Sequence, residues 1–151
     1  MAEKMVLDNI AVNTIQEAIL QIVSIWSGLP FKASNKTLQW NDLPTGQSIG
    51  LFTVSGGFYK SRYISGSYVG VFPFRIVYKC NPTNNTGRIN AEKLVNELAE
   101  YLQGYSGKLS SDSHIEIQTF TQTSLAYKAN TDEAGNEEYT CTLQVEYFYK
   151  K

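Results

Sequence analysis

The chain has 151 residues, 42% of them hydrophobic and 18% charged, with a formal net charge of −1. That length suffices to bury one core, and a charged fraction below the usual level of about 25% argues against disorder. Without a basic excess to neutralise phosphates, a dedicated nucleic-acid binder is disfavoured. Two cysteines are too few for a disulfide scaffold, and the 10 tyrosines suit sheet faces and interfaces alike.

Residues 1–12 read as a loose N-terminal arm ahead of one domain spanning 1–151, and they hold no apolar run of secretory type. Thr14-Ile15-Gln16-Glu17 matches a capping box. Ile15, Ile19, Ile22, Val23 and Trp26 then recur at helical spacing, which predicts a helix over 14–28 stopped by Gly28 and Pro30. Gln21 and Ser24 interrupt its apolar stretch, so no membrane span is expected. The expected setting is intracellular, with reduced thiols.

Leu38 and Trp40 suit a short strand, and residues 41–46 form a turn cluster. Strands follow over about 49–54, 58–64 and 68–80, punctuated by Gly56-Gly57 as a tight turn and by Ser65-Gly66-Ser67. Gly70 reads as a bulge residue. In the third strand Phe72, Phe74, Ile76 and Tyr78 share one face and Val69, Val71 and Val77 the other. Pro73 marks an edge or a bulge there. Asn90 is the expected cap of a second helix ending at Gly104, with Ala91, Leu94, Val95, Leu98 and Leu102 as its apolar stripe. Glu92, Lys93, Asn96, Glu97 and Glu100 are left for solvent. The C-terminal part reads as a long hairpin, 115–128 and 137–150, around an acidic loop. Its last strand places Tyr139, Cys141, Leu143, Val145, Tyr147 and Tyr149 on one face. The expected class is α+β: a mainly antiparallel sheet with two helices on one face, in the order α-β-β-β-α-β-β.

Reactive groups do not converge in this sequence. The one histidine, His114, stands at a loop–strand border, and Cys80 and Cys141 lie far apart on strands, as buried thiols do. Short-spaced zinc ligands, a phosphate loop and the oxygen spacing of a calcium loop are missing, so neither catalysis nor a cofactor or metal is expected. Phe58-Tyr59-Lys60-Ser61-Arg62-Tyr63 interleaves aromatic and basic residues, which would suit base stacking. The overall charge favours an ordinary strand instead.

The segment Arg62-Tyr63-Ile64-Ser65-Gly66-Ser67-Tyr68-Val69-Gly70-Val71-Phe72-Pro73-Phe74, followed by Arg88-Ile89-Asn90-Ala91-Glu92-Lys93-Leu94, resembles the small minor capsid proteins of phages of Gram-positive bacteria. Those proteins look like tail terminators of long-tailed phages. The likeness runs through residues 58–102 in sequence and 14–150 in element order. It implies a ring of about six copies, built on heterologous contacts, that caps the tail tube, ends its polymerisation and receives the head-completion protein. It implies a virion component assembled in the bacterial cytoplasm, with no catalytic residues.

Such a ring needs two different surfaces on each copy. Two charged patches offer themselves: Lys60 and Arg62 on one strand, and Asp132, Glu133, Glu137 and Glu138 around the hairpin tip. Their meeting across subunits would steer and register assembly. Other readings are a different head–tail connector, a small-molecule enzyme such as an acyltransferase using His114, and a single-strand nucleic-acid module using Tyr59, Tyr63 and Tyr68.

Overall fold

Two long antiparallel strands, β4 (Tyr68–Cys80) and β8 (Glu137–Tyr149), pair along their whole length and form the spine of the molecule. The computed structural model describes residues 9–34, 36–110 and 112–151. Each spine strand is flanked by two shorter strands end to end. Beside β4 lie β2 (Ser48–Thr53) and β3 (Phe58–Arg62); beside β8 lie β6 (Ile115–Gln122) and β7 (Tyr127–Thr131). The outermost strands are β1 (Leu38–Trp40), parallel to β2, and β5 (Gly107–Lys108), antiparallel to β6. This eight-stranded, mostly antiparallel sheet and two helices give the expected α+β class.

The helices are α1 (Asn9–Ser24) and α2 (Asn85–Gln103). Both pack on one sheet face over Phe74, Ile76, Cys141, Leu143 and Val145, in a single hydrophobic core. Tyr101 joins them, donating its hydroxyl to the Ile22 carbonyl at 3.0 Å and stacking on Trp26.

Both helices start earlier than the sequence predicts. Of the expected arm, residues 1–8 lie outside the described residues, and residues 9–12 already belong to α1. Val12 packs on the core with Ile15 and Ile19, extending the apolar stripe one turn toward the N-terminus, so Thr14 is interior and not a cap. At the other end the helix closes at Ser24, whose hydroxyl bonds back to the Gln21 carbonyl. In α2 the cap is Asn84, whose Oδ1 accepts from the Gly87 N–H at 2.8 Å, not Asn90. An asparagine side chain satisfies an orphan N–H wherever the first turn begins, and here the polar linker supplies an earlier one.

Gly56-Gly57 makes no hairpin. β2 and β3 run in the same direction along β4, so the pair kinks one edge from the first strand into the second. Pro73 faces that seam. Its carbonyl accepts from Val54, and a strand residue's N and O point to one side, so the missing N–H falls where the edge strands change over. Gly70 is no bulge either. A β-carbon there would come within 2.5 Å of the Tyr147 ring, so glycine provides the seat for that tyrosine. The bulge lies in β3, between Tyr59 and Ser61.

The long strand expected over 115–128 is two strands, β6 and β7. Asn96 of α2 holds the break: its Oδ1 accepts from Gln122 Nε2 and from the Ala126 N–H, each at 3.0 Å. It is therefore not simply left to solvent.

Candidate assembly surfaces

Glu137 opens β8 and is only 3% exposed. Lys128 of β7 reaches its Oε1 at 2.9 Å, and Arg88 of α2 reaches its Oε2 at 3.2 Å. The Lys128 hydrogen bond, with help from Arg88, holds the carboxyl below the ordinary value of 4.5. The neighbouring Tyr139 hydroxyl is pushed up to about 12, chiefly by burial and next by the Glu137 charge. Glu137 is thus not a hairpin-tip charge: it ties the first turn of α2 to β7 and β8.

Asp132 is also occupied locally. Its Oδ1 accepts from the N–H groups of Ala134 and Asn136, and its Oδ2 from Asn136 Nδ2. The Asn136 bonds lower its pKa. Glu138 accepts from Asn130 Nδ2 and lies opposite Lys79 across β4. Of the four acids expected at the tip, Glu133 stands exposed with its carboxylate clear of these bonds.

The basic pair is divided by the β3 bulge. Lys60 turns to the sheet face away from the helices and meets Glu146 at 3.0 Å. Arg62 turns the other way, its guanidinium 5.1 Å from the Tyr59 ring centre. Lys60 and Arg62 therefore form no common face, and the structure does not bring either beside the acidic tip.

The stacking platform is divided as well. Tyr59 and Tyr68 meet edge to face at 4.6 Å on the helix side, with Tyr68 buried, whereas Tyr63 packs on Phe148. His114 is pinned at the start of β6: its Nδ1 lies 2.8 Å from the Lys150 carbonyl, and its N–H donates to Asp112. Burial pushes the Cys80 thiol up to about 11 and the Cys141 thiol to about 12, the state of an unreactive thiol. A groove of about 450 Å³ at the start of α2 is lined by Gln47, Tyr78, Asn81, Asn90 and Asn136, and His114 is not among its walls. Among the described residues, no cluster of His, Cys, Asp and Glu could hold a metal ion, and no helix is long and apolar enough to cross a membrane.

What sequence reading missed is where the sheet is open. Leu125 and Tyr127 are exposed at the head of β7, and every residue of β7 is exposed. The signal was the Ser124-Leu125 break in the strand pattern, hidden because both sides of it read as strand.

No family model matches the chain, and no curated protein matches it in sequence. Among solved structures, a chain of the virion of a native gene transfer agent (GTA) particle is similar, with a TM-score of 0.55 and 12% identity. The likeness covers 87% of this chain and 96% of that one, so the two share a fold through nearly their whole length.

Proposed function

We propose that this protein is a structural component of a phage-like virion, and within it the ring that caps the tail tube and joins tail to head. The observation that carries this reading is the shared fold with a gene transfer agent virion chain over 96% of that chain. The sequence resemblance of residues 58–102 to tail-terminator-like minor capsid proteins points the same way and supplies the finer assignment. Its partners would be further copies of itself, the tail-tube protein and the head-completion protein. The surfaces fit an assembly role: every residue of β7 is exposed, and Leu125 and Tyr127 stand exposed at its head.

Deletion of the coding sequence from the phage-like element that carries it tests the role. The expected result is filled heads beside unjoined tails of uncontrolled length, rescued by the intact protein. Normal particles in the deletion strain would overturn it.

A further inference from the structure

The turn that joins β3 to β4 is held shut. Tyr63 donates its N–H to the Ser67 carbonyl at 2.9 Å, Gly66 donates back to the Tyr63 carbonyl at 3.0 Å, and Ser67 Oγ accepts from the Lys151 N–H at 3.0 Å. Gly66 supplies the φ of +94° that the turn needs. At the apex stands Ile64, fully exposed, with Tyr63 half-exposed beside it. Turns select Gly, Pro, Asn, Asp and Ser for backbone reasons, and a β-branched apolar residue serves none of them. Ile64 takes no part in the core either. Its side chain is an apolar knob on a fixed base.

A hollow lies level with it. Ala18, Gln21, Ile22 and Ile25 of α1, with Tyr105 and Leu109 on either side of β5, line a groove of about 340 Å³. Its walls are mostly apolar, and Ile25 is 78% exposed there. Arg62, Tyr68, Tyr149 and Ile115 stand in one row across the sheet, and Leu109 donates its N–H to the Ile115 carbonyl. The tip and the groove therefore lie at the same end of the spine, the tip at the β3 edge and the groove at the β5 edge. A neighbour set side by side in the same orientation brings its tip to this groove, with no strand pairing required.

Charge falls the same way. Lys151 lays its stem across Gly66, where a β-carbon would come within 2.6 Å of its Cδ, so its ammonium stands beside the tip. Glu17 is the only charged side chain of α1, exposed one turn before Gln21 of the groove wall. Among the described residues neither forms an ion pair within its own copy. Lys108, on the other flank of the groove, is set opposite Glu116 by the β5–β6 register.

We infer that the Tyr63-Ile64 tip of one copy seats in the groove between α1 and β5 of the next, with Lys151 beside Glu17. The occupant of the groove is a second copy of this chain. Tip and groove are different surfaces, so the contact is heterologous and propagates to a closed ring. The inference rests on the ring reading above, and Lys151 takes the place of Lys60 and Arg62 as the basic half of the contact.

Light scattering on paired variants tests it. Ile64→Asp and Ile25→Asp, both at exposed positions, should each keep the parent's melting temperature and weaken self-association about tenfold or more. A mixture of the two has one intact tip and one intact groove per pair, so it should stop at dimers where the parent forms rings. Glu17→Lys should weaken association up to about fivefold, and adding Lys151→Glu should restore it. Loss in only one of the two aspartate variants would overturn the inference, Ile64→Asp alone pointing to a two-fold contact between tips. Rings that persist in both would overturn it and leave the ring reading standing. A parent that is monomeric throughout would overturn both.

Discussion

Arg88 Nε lies 3.2 Å from Glu137 Oε2, so the first turn of α2 is fastened to the first residue of β8, 49 positions later in the chain. Lys128 closes on the same carboxylate from β7. One nearly buried acid thus joins three elements, and its loss leaves two cations facing each other. Glu137→Ala should lower the melting temperature more than Glu137→Gln, which keeps an acceptor. Thermal unfolding of the two variants against the parent checks this.

The same site gives a pH dependence of known sign. The folded Glu137 keeps its charge to a lower pH than the unfolded chain does. Its contribution is complete above the ordinary value of 4.5 and is lost as pH falls through the lower folded value. The melting temperature of the parent should therefore fall toward that of Glu137→Gln as the solution is acidified below 4.5. A gap that stays constant with pH would rule out the linkage.

Gly70→Ala forces a β-carbon within 2.5 Å of the Tyr147 ring, near one end of the spine. The expected cost is about 1–3 kcal/mol, read by denaturant unfolding. Combining it with Tyr147→Ala, which removes the ring, should make the glycine replacement nearly neutral.

Asn96→Ala removes the acceptor shared by Gln122 and Ala126. It should cost about 1 kcal/mol. Hydrogen exchange should then accelerate at Ala126 and the start of β7, with the spine amides unchanged.

Lys60→Ala should cost less than about 1 kcal/mol, because the pair with Glu146 is solvent-accessible. Reversing the charge of Lys60 and Arg62 together should leave self-association intact, because Lys60 is already paired with Glu146 and the two side chains point to opposite faces of the sheet. Loss of assembly in that double variant would return the interface to β3.

Period-2 and period-3.6 patterns sufficed for β4, β8 and the buried stripes of both helices, because those residues face one continuous core. Helix starts were misplaced because Thr14 and Asn90 have cap chemistry, yet Val12 and Asn84 carry the helices past them. The β2–β3 and β6–β7 breaks were read as a hairpin turn and as continuous strand, because a kink along one edge leaves the alternation intact on both sides. The acidic tip shows the same limit. Glu137 differs from Glu133 only in its neighbours Arg88 and Lys128, and the first of these comes from a distant segment. Local sequence displays a charge, while its partner is set by the fold.

The measurement that bears most directly on the account is the mass of the purified protein by light scattering over a wide concentration range, with imaging of any large species. A closed ring of about six copies is the predicted result. A two-fold dimer that grows no further, or a monomer at every concentration, would contradict it.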